Sequence, residues 1–189
     1  MGLPAVTEDG RSLALATVEP DPNRGAPNLT FEVRVVEGNR VTTKIVVLST
    51  KSADAPESAR ARIAIESRRH AEASNTILRS RRWVSLPPLE PEGAVRAELT
   101  PASHLTLAAR GRVLLDENLG REIHRETHAP PPETQSTSPC VYEPFVDFAG
   151  FAEPQGVLVV RFAYNVTSGG CMWCFAPNPV TRAYRVNPS

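Results

Sequence analysis

Cys171-Met172-Trp173-Cys174, together with Cys140, is the most chemically loaded pattern in the chain. Three thiols allow one disulfide with a thiol left over, a redox pair, or three ligands of a metal ion. A redox dithiol wants its first cysteine at a helix N-terminus, which favours the thiolate. Pro177 and Pro179 follow Cys174 too closely for a helix there. Zinc wants a fourth ligand, because structural sites are closed and tetrahedral. His124 and His128 are the candidates, but at i, i+4 on a strand they stand about 13 Å apart, so only one can join the cysteines. His124-Arg125-Glu126-Thr127-His128 also matches neither order of His and Glu that metalloproteases use. The expected arrangement is a disulfide from Cys140 to Cys171 or Cys174, with buried free thiols as the alternative. It closes a loop of about 30 residues and constrains the unfolded chain by roughly 3–4 kcal/mol in the entropy model. Such a bridge requires an oxidising compartment.

His124-x-Glu126 followed by Cys171-x-x-Cys174 resembles the zinc-dependent nucleoside and nucleobase deaminases, whose signature is His-x-Glu and then Pro-Cys-x-x-Cys. The resemblance implies His124, Cys171 and Cys174 as zinc ligands and Glu126 as proton shuttle. Gly170 stands in place of the Pro, and a meander surrounds the motif rather than alternating strands and helices. No Gly-x-Ser-x-Gly, Walker A loop or Gly-x-Gly-x-x-Gly occurs. No complete catalytic constellation can therefore be assembled. The sequence points to a non-enzymatic, extracytoplasmic binding or envelope-associated module without a cofactor, its partner a protein or envelope ligand. The alternative is a zinc- or thiol-dependent enzyme centred on Cys171, Cys174, His124 and Glu126.

The elements that must position these residues are mostly strands. Phe31, Val33 and Val35 alternate with Glu32 and Arg34, the period-2 signature of a half-buried strand, and Val41 to Leu48 is rich in β-branched residues. With Leu13 to Ala16 behind an Asp9-Gly10 turn, these predict a β-meander over the first fifty residues. Pro4-Ala-Val-Thr7-Glu-Asp9-Gly10-Arg11-Ser-Leu13-Ala14 resembles the opening strand pair of a TolB-type, WD40-like propeller repeat. The resemblance covers this one segment and implies a blade-like meander, with no activity attached.

Residues 54–82 predict the one long helix, with Asp54 as cap and Pro56 near the first turn. Ala59, Ile63, Ser67, Ala71, Ser74 and Ile77-Leu78 trace a stripe at helical spacing, while seven arginines occupy the other faces as a solvated surface. Val95, Ala97 and Leu99 alternate with Arg96 and Glu98 in a further strand. Leu105 to Ala109 and Val113 to Leu115 read as a hairpin that ends in a turn at Asp116-Glu117-Asn118. Val157 to Val160 with Phe162 is apolar on both faces and suits the centre of a sheet, and Thr181 to Val186 is the last strand. The fold class is α+β: antiparallel β-meanders with the 54–82 helix packed on a sheet. A single domain over residues 1–189 is expected, its Pro-rich loop 129–140 separating a β/α body from an aromatic-rich C-terminal β segment.

Composition narrows the partners. Lys+Arg and Asp+Glu are equal at 21 each, which gives no electrostatic case for nucleic acid. The 41% hydrophobic content supports a packed core, and no apolar run reaches the length of a transmembrane helix. Nine of the eleven aromatic residues fall in 140–189, so that part supplies much of the core, with Trp173 and Phe175 a possible contact surface. Arginine outnumbers lysine 19 to two, a codon signature of a GC-rich bacterial genome. Met1-Gly2-Leu3-Pro4 lacks a basic n-region and an apolar h-region. Joined to the disulfide, this is read as a mature domain whose leader has been removed, periplasmic or extracellular, with the cytoplasm as alternative.

Overall fold

Three antiparallel sheets and one long helix make up the described structure, an α+β and mostly β chain. The computed structural model describes residues 2–20, 27–49, 55–90, 93–100, 104–109, 111–119, 140–168 and 179–186. They group into two compact units, Met1–Leu86 and Pro87–Ser189. Residues 129–139 of the Pro-rich segment lie outside the described residues. No helix among the described residues is long and apolar enough to cross a membrane.

The first unit holds strands β1 (Ala5–Thr7), β2 (Ser12–Pro20), β3 (Pro27–Val35), β4 (Val41–Leu48) and β5 (Trp83–Ser85) in the order β4-β3-β2-β1-β5. The β1–β2 turn shows why Asp9 and Gly10 stand where they do. The Asp9 carboxylate accepts hydrogen bonds from the Thr7 hydroxyl and, at 3.0 Å, from the Arg11 amide. Gly10 has φ +67°, a conformation that glycine alone adopts without cost. The ladders set Ala14 opposite Val33 and Phe31 opposite Ile45, so these side chains share one face.

Helix α1 (Glu57–Arg79) covers that face: Ile77, Leu78, Ile45, Val47 and Trp83 pack on the cluster of Ala14, Phe31 and Val33. The stripe Ala59, Ile63, Ser67, Ala71, Ile77 and Leu78 is half-buried and Ser74 buried, while the arginines of α1 are exposed. The Ser74 hydroxyl donates to the His70 carbonyl at 2.9 Å, which satisfies its buried oxygen. The helix is shorter than its expected span. Pro56 takes the N-cap position with no side-chain hydrogen bond, and Asp54 lies outside the described residues.

The second unit holds two sheets. One is β6 (Val95–Leu99), β7 (His104–Ala109) and β8 (Arg112–Asn118), in the order β6-β7-β8. The other is β9 (Cys140–Ala152), β10 (Val157–Ser168) and β11 (Val180–Arg185), in the order β11-β10-β9. Leu105 and Leu107 of the first sheet and Leu158, Val160, Phe162, Tyr164 and Tyr184 of the second share one core. Val157 to Val160 are all fully buried, as suits a strand with neighbours on both edges.

Two expectations need correction here. Asp116, Glu117 and Asn118 form no turn but continue β8, paired with Thr106, Leu105 and His104. β8 is an edge strand and all three side chains are exposed, so polar residues cost the ladder nothing. The 13-residue strand β9 has no counterpart in the sequence reading. Its register slips between Arg161 and Phe162 of β10, and Asp147 is the extra residue. Ala149 and Phe151 face the core on one side of the slip, Val146 and Tyr142 on the other, so its facing pattern changes from odd to even. A strand with a break in its alternation is invisible to a period-2 template.

Candidate functional site

Among the described residues β6 and β9 are each the edge of a sheet, and a cleft of about 510 Å³ lies along them. Backbone phase decides what β6 offers to it. Thr100 donates its N–H to the His104 carbonyl at 2.9 Å, so Thr100, Glu98 and Arg96 turn their main-chain groups toward β7. Val95, Ala97 and Leu99 turn theirs outward, although their side chains pack on the core. The Ala97 N–H and C=O consequently point at the cleft and have no partner among the described residues.

The opposite wall has begun to accept a strand. Leu89 donates its N–H to the Ala149 carbonyl at 2.7 Å, so the segment entering β6 first lies along the outer edge of β9. A hydrogen bond from the Gly93 amide to the Glu90 carbonyl, 3.0 Å, then turns the chain toward β6. Leu89, Ala97, Val146 and Phe148 give the cleft apolar walls. The volume lies within the roughly 300–1,000 Å³ of ordinary ligand sites.

The rim is charged by Glu90, Arg96, Glu98 and Asp147. Asp147 is held by Arg161, and the Arg96 Nε donates to the Gly93 carbonyl at 3.3 Å. Glu90 and Glu98 have no ionic partner among the described residues. The lining contains no Ser, Thr, Cys, His, Lys or Tyr, so the groups present can hold a ligand by charge, backbone and apolar contact. No side-chain pattern marks this place in the sequence, because its distinctive groups are the main chain of Ala97.

The first unit carries a different cluster that the sequence reading misplaced. Glu32, expected on the solvated side of an alternating strand, is 3% exposed. Its carboxylate accepts from the Arg34 guanidinium at 2.6 and 3.0 Å and pairs with Lys44 of β4 at 3.3 Å. Arg34 is two residues along the same strand and Lys44 is the direct cross-strand partner, so the ladder puts all three on one face. A buried carboxylate between two cations is a structural tie.

Of the residues singled out by chemistry, His124, Glu126, His128, Cys171, Trp173, Cys174 and Phe175 lie outside the described residues. Cys140 is described in its backbone alone, as the first residue of β9, opposite Ser168 of β10. Among the described residues, no group of three His, Cys, Asp or Glu side chains is placed to hold a metal ion. No family model, no curated protein and no solved structure matches the chain.

Proposed function

We propose that the chain is a non-enzymatic binding module, extracytoplasmic or envelope-associated, that takes its ligand in the cleft beside β6 and β9. The observation that carries this reading is the cleft itself: apolar walls, and two carboxylates and a main-chain amide and carbonyl at Ala97 that have no partner among the described residues. Those are groups that recognise, and the lining holds no hydroxyl, thiol, amine or imidazole side chain.

The export part of the proposal rests on the disulfide from Cys140 to Cys171 or Cys174. The β9–β10 ladder sets Cys140 opposite Ser168, and Cys171 follows Ser168 by three residues. Three residues span at most about 10 Å, so the chain length allows the Cα separation of about 4–7 Å that a disulfide needs.

Metal analysis of protein purified without chelator tests the binding reading. Substoichiometric zinc is expected. One zinc per chain that disappears in Cys171→Ser would replace the module with a zinc enzyme. Non-reducing peptide mapping of protein made under oxidising conditions tests the bridge, and three free thiols would remove it along with the case for export.

A further inference from the structure

We propose that the cleft takes an extended, basic segment of a partner protein, added as a strand along the outer edge of β6. The inference rests on the binding-module reading and names its ligand class. Three observations converge on it. Ala97 presents an N–H and a C=O in the plane of its sheet with no partner among the described residues, which is what strand addition uses. The β6–β7 ladder has no register break, so the outward groups of Val95, Ala97 and Leu99 keep the regular spacing a second strand needs. β4, the long edge of the first unit's sheet, is blunted by Lys44 in its middle and by register shifts near both ends.

Charge and face then select the segment. A strand beside β6 places alternate side chains along the row of Arg96 and Glu98 and the others along the row of Ala97. The first row meets Glu98, with Glu90 on the same rim, both without ionic partners among the described residues. With Asp147 paired to Arg161, these two carboxylates outnumber the one cation, Arg96, and leave the rim net acidic. The second row meets the apolar walls of Leu89 and Val146. The matching sequence alternates Lys or Arg with apolar residues. An acidic segment meets a net acidic rim, and a small apolar ligand makes no hydrogen bond to the Ala97 groups.

The probe is a fluorescein-labelled peptide of alternating Lys and Val, titrated into the full chain and followed by anisotropy at low salt. Controls carry Glu for every Lys, N-methyl groups on every Val amide, or N-methyl groups on every Lys amide. Binding is expected, weakened at least about tenfold by the Glu peptide, by one of the two N-methylated peptides, and by the Glu90→Lys/Glu98→Lys variant. Amide exchange at Ala97 is expected to slow in the complex. Equal binding by both N-methylated peptides, unchanged exchange at Ala97, or no binding overturns strand addition. The binding-module reading fails separately, on stoichiometric zinc in the same preparation.

Discussion

Two sets of carboxylates, one in each unit, stand in opposite surroundings. Glu32 in Met1–Leu86 is buried against Arg34 and Lys44, whereas Glu90 and Glu98 in Pro87–Ser189 stand exposed at a cleft rim without ionic partners among the described residues. A buried charge must be compensated where it sits, because removing one partner leaves the others stranded in low dielectric. An exposed charge is solvated for little and remains available to a ligand. Glu32 therefore belongs to the stability of the molecule, and Glu90 and Glu98 to what it meets.

The comparison breaks first if stability does not follow burial. Phe162, fully buried in the core of the second unit, sets the upper end of the scale: Phe162→Ala is expected to cost about 3–5 kcal/mol in denaturant unfolding. Glu32→Gln is expected to cost about 2 kcal/mol, below the usual 3–5 for a broken buried pair because Lys44 and Arg34 reach solvent in part. A loss under about 0.5 kcal/mol would place Glu32 with ordinary surface residues. Arg161→Ala, which removes an exposed ion pair to Asp147, is expected to cost less than about 1 kcal/mol. Smallest of all, Glu98→Lys is expected to shift stability by no more than about 0.5 kcal/mol while weakening the basic peptide. A large stability loss there would make Glu98 a structural residue and undo the contrast.

What the sequence made legible follows from periodicity. The stripe from Ala59 to Leu78 could be read because every member obeys one helical spacing, and the same residues are the less exposed ones in α1. The double-sided burial of Val157 to Val160 was legible from an unbroken apolar run, and the hairpin of β7 and β8 from two apolar segments about Arg110-Gly111, though not its last three residues. β9 was not, since the extra residue at Asp147 switches the inward positions midway. Glu32 was misplaced because alternation assigns a residue to a face but does not say whether that face meets water. The cleft was hidden for a third reason: whether β6 is an edge depends on strand order, which no local pattern encodes. The cysteine and histidine motifs that dominate the sequence chemistry lie outside the described residues, except for the backbone of Cys140.

The extra residue in β9 also bears on insertions and deletions. Removing one residue from a regular strand turns every side chain beyond it to the opposite face. Asp147 is the exception in β9. Without it, Ala149 inward, Phe148 outward, Val146 inward, Phe145 outward and Tyr142 inward follow in unbroken alternation, so the core keeps its members. The cleft would lose one wall residue and Arg161 its partner. β9 therefore contains a single position where chain length can change by one residue without rewriting the hydrophobic code of the strand, and that position lies on the wall of the candidate binding site.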